Sequence, residues 1–194
     1  MKRASLLAGL ALFPLGWGAA AMGGMTGHMA GHMIAVAVAA PLVAWGLGGS
    51  PLDPTKRWPR LVTPMAMMLV ELVVVWGWHL PAPRALADGS AAWLVVEQAC
   101  FLVAGLLLWS AVLGTGHERR ASGIGALLLT SMHMTLLGAL IGLAPRPLYA
   151  HAHDGALQDQ QIGGVVMLMV GAASYFIGGL AMLATLLRGG EARA

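Results

Sequence analysis

Long apolar runs separated by short polar clusters organise this chain. The runs extend approximately over Ser5 to Ala21, His28 to Gly48, Leu61 to Trp78, Ala91 to Leu113, Ser122 to Leu143 and Ile162 to Leu187. Each is close to the ~20 residues that a helix needs to cross a bilayer core. The stretches between them carry turn chemistry, as in Ser50-Pro51-Leu52-Asp53-Pro54 and Pro81-Ala82-Pro83-Arg84, where prolines and small polar residues interrupt helices. The pattern predicts an all-α, polytopic membrane helical bundle with six transmembrane helices, folded as a single domain over residues 1–194. Lys2-Arg3, the first apolar run and Ala19-Ala20-Ala21 also have the form of a secretory signal with a small-residue cleavage site, and cleavage there would leave five helices. Residue 22 emerges on the same side in both cases.

Composition agrees with a bilayer setting: 58% of residues are hydrophobic, 10% are charged, and mean hydropathy is +0.77. Basic residues then orient the bundle, because Lys and Arg are retained on the cytoplasmic side during insertion. One set of helix ends holds Lys2, Arg3, Lys56, Arg57, Arg60, Arg119, Arg120, Arg188 and Arg193, whereas the other holds only Arg84 and Arg146. Both termini are therefore expected in the cytoplasm. Topology accounts for the net charge of +3 and the pI near 9.6, so these values do not point to a nucleic-acid partner.

The histidines sort the opposite way. His28, His32, His79, His151 and His153 fall at or beyond the outer surface, His117 lies in a cytoplasmic loop, and His133 sits near the middle of the fifth span. Residues 22–33 read Met-Gly-Gly-Met-Thr-Gly-His-Met-Ala-Gly-His-Met. Thioether sulfur suits cuprous ion and imidazole suits either copper state, so this run points to copper. If Thr26 caps a helix beginning near Gly27, His28 and His32 stack one turn apart, with Met29 and Met33 as a parallel pair beside them. Met22 and Met25 would lie in a flexible glycine-rich approach. The competing reading makes the methionines packing residues and the histidines interfacial polar groups. Gly23, Gly27 and Gly31 fit either a smooth helix face or a mobile loop.

Ionisable residues inside spans should face inward, since exposing them to lipid costs ~2.5–3.5 kcal/mol even on lenient scales. Glu71, Glu97 and His133 are of this kind, with Met67, Met68, Met132 and Met134 near them. A structural bond, a metal site and a proton relay all remain open for them. Cys100, the only cysteine, fits a packing role. Pro41 should kink the second span and free a backbone carbonyl. In the last outer loop, His151, His153 and Asp154 form a small donor set, and Asp159 is placed to cap the sixth helix.

Several motifs in fixed order carry a family resemblance. His28-Met29-x-x-His32-Met33 is followed by Ala40-Pro41-Leu42, Trp78-His79-Leu80-Pro81 and Glu97-Gln98-x-x-Phe101. Then come Ala144-Pro145-Arg146-Pro147-Leu148-Tyr149 and Asp159-Gln160-Gln161-x-Gly163-Gly164. From about residue 25 onward the chain resembles the CtaG-like family of polytopic cytochrome c oxidase assembly factors. The resemblance implies a multi-pass protein of the bacterial inner membrane that serves maturation of a haem-copper oxidase through its copper centres. Many relatives are longer, and many have Glu-His where this chain has Glu97-Gln98, so no histidine role transfers to Gln98.

The resulting expectation is a non-enzyme that captures copper outside the membrane. Its metal residues would come from Met25, His28, Met29, His32, Met33, His79, His133, His151 and His153, with transfer by ligand exchange to an oxidase subunit or another copper carrier. Two alternatives belong to other classes. One is a membrane cytochrome with haem between His32 or His79 and His133. The other is a copper or proton transporter using Glu71, Glu97 and His133. The chain has no His-Glu-x-x-His, Walker-type glycine loop or Gly-x-Ser-x-Gly motif, which weakens the corresponding hydrolase readings.

Overall fold

A computed structural model describes residues 1–114, 116, 119–149 and 155–191. Helix α1 (Lys2–Ala21) leads into α2 (Gly24–Leu47), the short α3 (Pro54–Arg57), α4 (Pro64–Trp78) and α5 (Pro81–Gly89). Then follow α6 (Ala91–Leu113), α7 (Arg120–Gly142) and α8, whose apolar span is Ala156–Arg188. No strand occurs among the described residues. The protein is an all-α polytopic membrane bundle. It has five helices long and apolar enough to cross a bilayer, or six crossings if the bent α4–α5 pair counts as one.

The third expected span is thus corrected. Its straight part, α4, has only 15 residues, or about 22 Å at ~1.5 Å per residue, against a core of ~30 Å. The chain then turns by 70° into α5. Pro81 explains the break: it offers no N–H and clashes with the preceding turn. Leu80 before it is held extended at φ −69° and ψ 145°. The last helix is corrected too, beginning at Ala156 after Gly155 (φ 89°) rather than at Ile162.

Helix α2 is the most enclosed span, with 56% of its apolar window buried, and it packs against α1, α6 and α8. Small residues allow these approaches. A β-carbon on Gly31 would stand 2.6 Å from the Gly16 carbonyl oxygen, and one on Gly27 would stand 2.6 Å from that of Ala19. The glycine repeat is therefore a close-contact face at these two positions, while Gly23 (φ 79°) forms the turn.

The expected disturbance at Pro41 takes the form of a π-helical stretch, Ile34–Ala39. Pro41 lacks the N–H that would serve the Ala37 carbonyl in α register or the Val36 carbonyl in π register. Side chains from neighbouring helices satisfy both. Ser174 Oγ donates to Ala37 O (2.7 Å), whereas Trp109 Nε1 (3.0 Å) and Tyr175 OH (3.3 Å) approach Val36 O.

At the basic end of the bundle, Asp53 caps α3 by accepting from Thr55 N–H (3.0 Å), and it also accepts from Gly49 N–H (2.8 Å). Burial alone would raise its pKa. These bonds, with those from the Thr55 hydroxyl and the charge of Lys56, outweigh burial and hold it below 3.8. A depressed native pKa means that the stabilisation is fully present above the unfolded value and is lost as pH falls through the native value. Thermal melting across acidic pH should therefore show a loss below pH 3.8 that is reduced in Asp53→Asn, by about 1 kcal/mol.

Candidate metal centre

The end opposite the basic residues is built around the start of α2. The first backbone N–H groups of a helix have no partner within it. Asp159 of α8 supplies one across the bundle, accepting from Met25 N–H (2.6 Å) and Thr26 N–H (3.1 Å). Thr26 Oγ1 donates in return to the Asp159 carbonyl oxygen (3.1 Å). Two expectations are corrected here. Thr26 lies inside a helix that begins at Gly24, and Asp159 closes the start of α2 instead of its own helix. Its carboxylate also faces the positive end of the α2 dipole.

This clamp fixes the turn of α2 that carries His28 and His32. His79, the residue at which α4 ends, approaches from the other side. Each of the three imidazoles offers a ring nitrogen lying within 4.8 Å of the other two. They are 1%, 0% and 5% exposed, respectively. The imidazoles expected at an open rim are thus enclosed. Phe101 of α6 stacks on His32 with ring centroids 4.0 Å apart and planes inclined by 14°, supplying an apolar wall that fixes the ring plane.

Hydrogen-bond arithmetic assigns the protons. His79 Nδ1 lies 2.6 Å from the Val75 carbonyl oxygen. A carbonyl only accepts, so Nδ1 carries the hydrogen and Nε2 presents its lone pair. His28 Nε2, 3.2 Å from that atom, is then the donor. His28 Nδ1 in turn accepts from Arg84 Nη1 at 2.5 Å. Among the described residues the His32 ring nitrogens have no hydrogen-bond partner although both are buried, an arrangement that costs ~1–3 kcal/mol for an unsatisfied polar group.

The donor set fits a metal ion. Two nitrogens bound to one tetrahedral ion at ~2.0–2.1 Å stand about 3.3 Å apart, close to the 3.2 Å between His28 and His79 Nε2. The bond from His79 Nδ1 to a backbone carbonyl is of the kind that orients a histidine able to bind metal through its other nitrogen.

Arg84 and Glu97 complete the surroundings. Arg84 Nη1 donates to Glu97 Oε1 (2.7 Å) and Oε2 (2.9 Å), while Nη2 pairs with Asp88 one turn along α5. Glu97 Oε2 is 3.4 Å from His28 Nδ1. In the sequence Arg84 stands out only as one of two basic residues on its side, at the end of a proline-rich turn, yet it is 4% exposed at the centre of this network. A signal was available: Glu97 inside an apolar helix requires a cationic partner, and Arg84 is close to it along the chain. Above Arg84 a cleft of about 280 Å³ opens at the surface, bordered also by Met25, Asp88 and Tyr149.

Other expected site residues fall elsewhere. Met25 packs against Gly163 of α8, where an added β-carbon would meet its Cγ at 2.8 Å. The sulfur of Met33 lies 3.3 Å from the corresponding position on Gly171, so both methionines fill the α2–α8 seam. Met29 is fully buried, whereas Met22 is 85% exposed. His133 is buried on α7, among the described residues neither of its ring nitrogens is hydrogen-bonded, and it is not part of the three-histidine group. Glu71, about 12 Å along α4 from His79 at ~1.5 Å per residue, accepts from Tyr175 OH (2.5 Å). His151 and His153, with Asp154 and His117, lie outside the described residues.

Comparison with curated proteins and with solved structures gives no match. The family of cytochrome c oxidase caa3 assembly factors matches residues 4–189, a range that contains every helix forming the histidine group. With its all-helical membrane architecture and a match over nearly its whole length, the chain belongs to the CtaG-like cytochrome c oxidase caa3 assembly factors.

Proposed function

We propose that the protein serves oxidase assembly as a copper carrier, with His28, His32 and His79 holding one ion beneath the outer face of a bacterial inner membrane. The observation that carries this reading is His32, whose buried ring has two unbonded nitrogens beside two further imidazoles. An ion would give one of those nitrogens a partner. Imidazole suits copper among other ions, and membership of a cytochrome c oxidase assembly family favours copper as the cargo. Met25, at the wall of the surface cleft, is the soft donor on the approach, and Met29 and Met33 keep the ligand-bearing helix packed.

The excess of Lys and Arg at the opposite end supports an orientation with both termini in the cytoplasm and the cleft outside. There it can face a copper-accepting subunit of cytochrome c oxidase or another copper carrier. The reading requires no bond making in a substrate. Neutral imidazoles give up an ion by stepwise ligand exchange, and we therefore read the protein as a non-enzyme.

A His28→Ala, His32→Ala double variant tests the proposal through copper bound per chain and copper content of the assembled oxidase. Bound copper should fall from one equivalent to a residual trace, and oxidase copper should fall with it. Unchanged values for both would refute the reading.

A further inference from the structure

We infer that Arg84 is a release latch, a positioning residue that competes with the bound ion for His28 and Glu97. The inference rests on the metal reading above and adds how the ion is let go. Arg84 Nη1 donates to His28 Nδ1 and to both oxygens of Glu97. The His28 hydrogen is then on Nε2, directed at His79. For His28 Nε2 to become a ligand, that hydrogen must reside on Nδ1 instead. The proton count of the ring is unchanged, but Nδ1 can no longer accept from Arg84.

A replacement acceptor already stands nearby, because Glu97 Oε2 is 3.4 Å from His28 Nδ1. A ligand histidine that donates through its other nitrogen to a carboxylate is the arrangement that strengthens metal binding. Arg84 blocks it in the arrangement seen here by holding Nδ1 as an acceptor. The guanidinium also has somewhere to withdraw. Its second amino group is paired with Asp88, and both residues border the surface cleft of about 280 Å³. Moving toward Asp88 keeps the cation partnered and takes it away from an arriving positive ion. Its return to His28 and Glu97 expels the ion toward the cleft from which a partner accepts it.

Two variants shift the latch in opposite directions. In Arg84→Met, Glu97 is left to pair with the His28 Nδ1–H, so the ion should be held roughly 10- to 100-fold more tightly. In Asp88→Ala the withdrawn position loses its carboxylate, so Arg84 should stay on His28 and the ion should be held several-fold more weakly. The experiment follows release of cuprous ion from the purified full chain to a chelator, together with copper bound per chain. Slower release in Arg84→Met and faster release in Asp88→Ala, each with full binding at saturating copper, is the expected result. Wild-type binding of one ion with release unchanged in both variants, or shifted the same way, overturns the latch alone. Wild-type protein that binds no ion overturns the metal reading and the latch together. Arg84→Lys keeps the buried charge if Arg84→Met fails to fold, and should slow release by a smaller factor because a lysine lacks the fork that spans two partners.

Discussion

Glu97→Ala should be the most damaging single substitution to the stability of the metal-free protein, lowering it by about 3–5 kcal/mol, the cost of breaking a buried ion pair from one side. Glu97 is fully buried and takes two hydrogen bonds from Arg84, which is itself 4% exposed. Without the carboxylate, Arg84 retains Asp88 but its other amino group is directed at His28 alone. Glu97→Gln keeps an acceptor and the shape and should cost less. Unfolding in detergent, followed by tryptophan fluorescence against denaturant, reads both. Equal and small losses in the two variants would show that Arg84 does not depend on this carboxylate.

His32→Leu has the second large effect, and its two consequences have opposite signs. The histidine contributes no hydrogen bond to the fold, so an apolar side chain of similar size removes an unsatisfied buried group. It gives up the stacking on Phe101 and the ring contacts with His79 and His28. Stability of the metal-free protein should be maintained or raised, by up to ~1–3 kcal/mol. Copper affinity should fall by at least about 100-fold, as expected when an ion loses one of its ligands, since losing a contact that merely orients a ligand already costs ~10- to 100-fold. Melting temperature and competitive chelator titration check the two halves. A variant that melts lower and binds copper normally would show His32 to be a structural residue.

What the sequence made legible follows from the range over which each signal acts. Hydrophobic runs are local, so the membrane bundle and five of its long helices can be read from them directly. The spacing of His28 and His32 is equally local, because four residues on any helix place two side chains together. His79 stands beside Pro81 in a recognisable motif, but its convergence on the pair depends on the chain turning by 70° into α5. The end of the apolar run at Trp78 and the prolines after it mark the break, but neither its angle nor the short helix Pro81–Gly89 beyond it can be read from them. Arg84 was obscured by its neighbours Pro81, Ala82 and Pro83, which have the composition of an exposed turn. Only the demand of Glu97 for a cation could have recovered it.

Asp159 shows the same limit. An acidic residue near the start of a helix is sensibly read as a cap, yet the N–H groups it satisfies are 134 and 133 residues away on α2. Sequence spacing contains no record of such a contact. Methionines were harder still, because thioether sulfur suits both copper and close packing. The seam positions of Met25 and Met33, opposite Gly163 and Gly171, come from the way α2 and α8 meet.

The account depends on three imidazoles from two helices sharing one ion. X-ray absorption spectroscopy of the purified protein, saturated with cuprous ion and freed of excess, tests this most directly. It should show one tightly held copper per chain with His28, His32 and His79 as three imidazole nitrogen scatterers. Failure to retain copper, or a first shell made of sulfur without imidazole, would contradict the account.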